Sequence, residues 1–170
     1  GGDSRGIDSN SVVYNFLSFK KKVLEIKNKH NLPSLVETYL PGKEYSVGIF
    51  QDSTNGTLRA MPIEIIVKKN KNGHSILDFT VKKDDDEKVI AVTDLEIFKK
   101  LSKLAKEAFK ALGGKSLGRI DIKMNKQGEP HFMEANLMPG LRKGYFYRSC
   151  LLNLDMNYED MIFSIANTGL

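Results

Sequence analysis

The chain has 170 residues, 41% hydrophobic and 28% charged, with a formal net charge of +5, which suits a globular core and excludes a disordered or fibrous chain. One cysteine, Cys150, excludes an internal disulfide and a thiolate metal clamp, and points to a reducing compartment, read as the cytoplasm. No apolar run has the length of a membrane span and the amino terminus has no signal-peptide core, so no membrane partner is expected.

Residues 1–11 are rich in turn formers. They open onto Val12, Val13, Phe16, Leu17, Phe19, Val23, Leu24 and Ile26, whose spacing predicts a helix with Ser9, Asn10 or Ser11 as N-cap. A Gly/Ser loop ahead of a helix can present backbone N–H groups to phosphate, although this one matches neither a Walker loop nor a full dinucleotide fingerprint. Pro33 stops the helix. Residues 35–40 and 44–50 read as strands on either side of a Pro41-Gly42 turn. Asn55-Gly56 marks a hairpin turn, and residues 58–67 form a strand with Pro62 at an edge or a bulge. Leu95, Phe98, Leu101, Leu104, Ala105, Ala108, Phe109 and Leu112 recur at three and four, an amphipathic helix capped by Thr93 or Asp94 and ended by Gly113-Gly114.

Next comes the stretch with chemistry in it. Ile120, Ile122 and Met124 alternate with Arg119, Asp121 and Lys123, a half-buried strand, and residues 131–136 return antiparallel after a turn. A loop of about four residues puts Asp121 across from Glu134 and Arg119 across from Asn136, all on one face. Carboxylates facing each other at about 5 Å repel, so a cation between them is expected. Magnesium suits the set, because it takes a few carboxylate or amide oxygens and fills its shell with phosphate and water. The alternative is that Arg119 and Lys123 neutralise these acids on a solvated face, where exposed pairs contribute about 0–1 kcal/mol. Helices over residues 145–152 and 157–165, the latter capped by Asn157, complete an α+β chain, a mostly antiparallel sheet covered by helices on one face. His30, His74 and His131 join no catalytic constellation, and no serine or cysteine nucleophile has a partnered base.

Arg119-x-Asp121 followed by Glu134-x-Asn136-x-x-Pro139-Gly140 resembles the carboxyl-terminal signature of the ATP-grasp ligases of the D-alanine–D-alanine ligase type. The resemblance implies two magnesium ions, with manganese admissible in their place, held against the phosphates of ATP by Asp121, Glu134 and Asn136. It implies that Arg119 stabilises charge at the reaction centre. Gly2-Asp-Ser-Arg-Gly-Ile, with Ser4 and Gly6, resembles the family's phosphate-covering loop. Glu37, Thr38, Tyr39 and Leu40 would meet the adenine, Glu44 the ribose and Lys82 the γ-phosphate, although Lys83 stands where the family prefers an aromatic.

The implied fold is the carboxyl-terminal lobe of an ATP-grasp domain, a single domain over residues 1–170 without the lobe that precedes the glycine-rich loop. The implied activity is that of an ATP-dependent carboxylate–amine ligase working through an acyl phosphate on a small substrate pair, with a homodimer admissible. Where the family carries hydroxyls after Pro139-Gly140, this chain has Leu141-Arg-Lys-Gly-Tyr-Phe-Tyr-Arg-Ser149, and Leu137 replaces a small polar residue. A larger or acidic substrate is expected. A reading from another class is a non-catalytic basic module binding nucleotide or nucleic acid through Tyr145, Phe146, Tyr147 and Arg148 beside Arg142 and Lys143. An aromatic helix face closing the core is the preferred reading of those rings.

Overall fold

The computed structural model describes residues 7–8, 10–52, 55–68, 73–74 and 87–168. The chain divides into two compact units, one of Gly1–Pro41 with Val67–Glu87 and one of Gly42–Ile66 with Lys88–Leu170.

The first unit contains α1 (Phe16–His30), which is capped by Asn15 accepting the Ser18 N–H at 2.9 Å. The expected caps Asn10 and Ser11 are used otherwise, and Ser9 lies outside the described residues. Asp8 Oδ1 accepts the Asn10 N–H at 2.8 Å and Ser11 Oγ accepts the Asp8 N–H at 2.9 Å. These short side chains build a local turn, which leaves Val12 and Val13 ahead of the helix. Residues 33–41 form no strand, contrary to the pattern read at 35–40. Leu35 and Val36 are 84% and 60% exposed, so no sheet face takes up their apolar surface.

The second unit holds, in order, β1 (Glu44–Gln51), β2 (Leu58–Ile66), β3 (Lys88–Ala91), α2 (Leu95–Ala111), β4 (Leu117–Met124), β5 (Pro130–Asn136), α3 (Tyr145–Leu154) and α4 (Tyr158–Asn167). The strands form one five-stranded sheet, β3-β2-β1-β4-β5, antiparallel throughout. Pro62 sits in β2 where that strand is locally an edge, because β3 pairs only from Ile63 onward. Its carbonyl accepts Asn153 Nδ2 at 3.2 Å instead of a neighbouring strand.

On one face Tyr45, Val47, Ile49, Ile120 and Ile122 pack against Leu101, Ala105 and Phe109 of α2. Asp94 caps that helix through the N–H groups of Glu96 and Ile97. On the other face Phe50 and Met61 pack with Phe146 and Cys150 of α3 and Met161 of α4. The sheet is therefore covered from both sides, not from the single face expected. The reason is in β1, where residues 45–50 are buried without a break, as in a strand with packed layers above and below. Two glycines let the helices approach. A Cβ on Gly118 would lie 2.6 Å from the Phe109 ring of α2, and one on Gly48 would lie 2.9 Å from Ser149 Cβ of α3. Asn157 and Asp160 close α4 in a reciprocal capping box.

Candidate active site

The β4–β5 loop spans residues 125–129, one longer than expected, and the register shifts between Asp121 and Ile122, leaving Met133 of β5 as the extra residue. The two departures offset each other. Asp121 faces Glu134 and Arg119 faces Asn136, as the hairpin argument required. Extending the register across β1 gives three polar rungs on the face that carries α3: Glu44 and Lys123, then Ser46, Asp121 and Glu134, then Gly48, Arg119 and Asn136. Successive rungs are two residues apart, about 6.6 Å along the strand.

Asp121 is gripped from two sides. Arg119 donates from Nε to Oδ1 at 3.0 Å and from Nη2 to Oδ2 at 2.9 Å, a bidentate pair. Ser46, fully buried, donates from Oγ to the same Oδ1 at 2.7 Å. The Arg119 guanidinium also lies over the Tyr145 ring, 5.7 Å from its centroid. Burial works against the Arg119 charge, but Asp121, with Glu134 across the ladder, raises its pKa above the ordinary arginine value. Lys123 Nζ donates to Glu44 Oε2 at 2.7 Å. Asn136 Oδ1 accepts the Met138 N–H at 3.1 Å, a turn that leads the chain into Pro139-Gly140.

Five of the residues singled out in the sequence thus share one face of one sheet: Glu44, Arg119, Asp121, Glu134 and Asn136. Glu37, Thr38, Tyr39 and Leu40 belong to the first unit, where the Tyr39 ring meets His74 edge-on at 4.9 Å. Ser4, Gly6 and Lys82 lie outside the described residues. Sequence reasoning missed Ser46, and it gave Lys123 and Tyr145 other roles, a neutralising charge on a wet face and a stacking ring. Only Ser46 carried a signal, since it alternates with Glu44 on the polar side of β1. The stacking platform imagined at residues 145–148 is spent in packing: Phe146 is 1% exposed and Tyr147 packs edge-on against Tyr158 at 5.7 Å.

Among the described residues no group of three or more His, Cys, Asp and Glu side chains is placed to hold an ion. The available donors are two carboxylates and an amide, all hard oxygens. This set fits magnesium only where phosphate oxygens complete the shell. No helix among the described residues is long and apolar enough to cross a membrane.

The chain matches the family model described as D-ala D-ala ligase C-terminus over residues 2–167. Among curated proteins it is similar to the D-alanine–D-alanine ligase of Idiomarina loihiensis, 32% identical over 142 residues, covering 75% of this chain and 39% of that protein. The corresponding ligase of Clostridium beijerinckii is 24% identical over 138 residues, covering 80% of this chain and 42% of that protein. Its fold is shared with the D-alanine–D-alanine ligase of Bacillus anthracis complexed with ATP, at TM-score 0.67 and 20% identity over 92% of this chain and 48% of that one. The VanG D-Ala:D-Ser ligase of Enterococcus faecalis gives TM-score 0.68 at 19% identity over 92% and 44%. The chain spans well under half the length of the curated relatives it matches. With the signature hairpin in register on an antiparallel sheet and the family model matched from residue 2 to residue 167, the chain belongs to the D-ala D-ala ligase carboxyl-terminal family.

Proposed function

We propose that this chain carries the nucleotide- and metal-holding part of an ATP- and magnesium-dependent carboxylate–amine ligase. ATP phosphorylates a carboxylate to an acyl phosphate, and an amine then displaces phosphate to form an amide. The observation that carries this reading is the order of the three rungs. Glu44 stands at one end for the ribose, Asp121 and Glu134 in the middle for the metals beside the phosphates, and Arg119 with Asn136 at the far end. That is the order of the parts of a nucleotide lying along the strands.

Bound magnesium supplies charge neutralisation and a template at the phosphates. The chain's own residues do the rest. Asp121, Glu134 and Asn136 offer the oxygens that hold the ions. Ser46 and Arg119 fix the direction of the Asp121 carboxylate. Arg119, stiffened by Asp121 and Tyr145, keeps a positive charge where the tetrahedral oxyanion develops, a form of stabilisation that needs no rearrangement during reaction. Glu37, Thr38, Tyr39 and Leu40 are assigned to the adenine, Ser4 and Gly6 to the phosphates and Lys82 to the γ-phosphate, all from the family resemblance. The substrate pair is assigned as larger or more acidic than D-alanine. Support comes from Arg142 and Lys143, exposed just before α3, and from the apolar Leu137 and Met138, 40% and 90% exposed.

The test is the Asp121→Asn/Glu134→Gln double variant. It removes both charges while leaving side-chain shape nearly unchanged, so magnesium-dependent ATP binding is lost; the unpaired Arg119 charge lowers apo stability, which a thermal melt of the variant reads separately. Isothermal titration with and without magnesium reads this, and equal ATP affinity in wild type and variant overturns the assignment.

A further inference from the structure

We propose that Lys123 is a positioning residue of the nucleotide site, holding the Glu44 carboxylate in direction for the ribose hydroxyls. The inference rests on the assignment of Glu44 to the ribose made above. In the sequence Lys123 looks like a counter-ion on a wet strand face. In the structure it is 8% exposed, and its Nζ donates to Glu44 Oε2 at 2.7 Å.

The side chains of the pair are 10% and 20% exposed for Lys123 and Glu44. Withdrawing two charges from water is costly unless geometry and hydrogen bonds compensate, and an apolar residue at position 123 would avoid that cost. What the pair supplies is a carboxylate of fixed direction, one rung from Asp121 and Glu134. With Lys123 on Oε2, the hydroxyl-accepting role falls to Oε1. Without Lys123, the flexible Glu44 stem can swing to water, out of the direction the ribose hydroxyls require, and its bond to a hydroxyl weakens because that direction must be fixed at binding. Lys123 also cancels the Glu44 charge that would otherwise repel the phosphates.

The experiment compares ATP with 2′-deoxy-ATP by titration calorimetry under saturating magnesium. The proteins are wild type, Lys123→Met, Lys123→Arg, Glu44→Gln and the Glu44→Gln/Lys123→Met double variant. Wild type is expected to prefer ATP by about ten- to a hundredfold, the value of one hydrogen bond to a charged group. Lys123→Met is expected to bring that ratio close to one, whereas Lys123→Arg keeps most of it. The double variant removes both members of the Lys123–Glu44 pair together, so it should melt closer to wild type than Lys123→Met does yet show no preference, which separates positioning from folding. If Lys123→Met retains or increases the preference while Glu44→Gln removes it, Lys123 has no positioning role and the ribose assignment stands. If Glu44→Gln leaves the ratio unchanged, or wild type shows no preference, the ribose assignment and this inference fall together.

Discussion

Asp121 accepts three hydrogen bonds, two from Arg119 and one from Ser46, while Glu134 faces it from β5. Arg119 is therefore a cation that answers the facing acids. Arg119→Ala removes it and leaves Asp121 and Glu134 opposed. Because Arg119 and Asp121 side chains are each 17% exposed, the loss should approach the lower end of about 3–5 kcal/mol for breaking a buried pair. With ATP present to complete its shell, millimolar magnesium should raise the melting temperature of this variant more than that of wild type, since a ligand binding only the folded state stabilises it by mass action. Equal magnesium shifts in both proteins would remove Arg119 from the metal site. Two other buried groups set an alkaline limit. Burial pushes the Cys150 thiol from 9.0 up to about 12, and burial, with Glu64 and Asp94, pushes the Tyr45 hydroxyl from 10.0 up to about 12. The folded state holds these protons more tightly than the unfolded state. Their stabilising effect is complete below pH 9 and is lost as pH rises toward 12. Denaturant melts across that range check it, and Cys150→Ala should flatten the first part of the decline.

At the scale of elements, α3 decides which part of the sheet is core and which is site. It covers Phe50 and Met61 and begins with Tyr145 over Arg119, so the rungs beyond that end keep their polar side chains. Its seat depends on Gly48, directly across from Arg119 on β1. Gly48→Ala sets a Cβ 2.9 Å from Ser149 Cβ, closer than real Cβ contacts come, and 3.1 Å from Met61 Cε, a tight contact that the methionine end can ease. The helix must lift, at a cost of about 1–3 kcal/mol for overpacking, and Tyr145 moves with it away from Arg119. Ser149→Gly in the same chain should recover part of the loss, less about 1 kcal/mol for a glycine inside a helix. Thermal melts of the single and double variants read both steps. A Gly48→Ala protein as stable as wild type would show that α3 does not depend on this close approach.

At the scale of the molecule, the chain covers 39% to 42% of the ligases it resembles in sequence. Phosphoryl transfer to a carboxylate requires nucleotide, metals and acceptor to be held together, where effective molarity supplies about 7–11 kcal/mol. The 170-residue chain alone is therefore expected to form no amide product above background, even with saturating ATP and magnesium. A whole protein carrying it should turn over bulky or acidic acceptors faster than D-alanine, because Arg142 and Lys143 stand where hydroxyls are expected and Leu137 where a small polar residue is. Phosphate release and product mass spectrometry over an amino-acid and dipeptide panel check both. Product from the chain alone, or D-alanine as the best acceptor, overturns the respective expectation.

The signature hairpin was legible in the sequence because period-two alternation and facing register are local properties. Arg119, Asp121, Glu134 and Asn136 could be set on one face from the sequence, and so could the 3.6-residue period of α2 and the cap Asn157, with Asp94 one of two candidates for the α2 cap. The strand read at residues 35–40 is absent from the fold, since the apolar alternation there meets no partner strand among the described residues. Other features depended on contacts between residues far apart in the chain. Ser46 meets Asp121 across 75 residues, Lys123 meets Glu44 across 79, and the fit of Gly48 beneath Ser149 depends on where α3 lands. A local pattern specifies which side of a strand a residue occupies. Whether that side is wet, covered by a helix or facing an opposite charge is set by packing, which is why Lys123 reads as a surface lysine in the sequence and is a buried ion-pair partner in the fold.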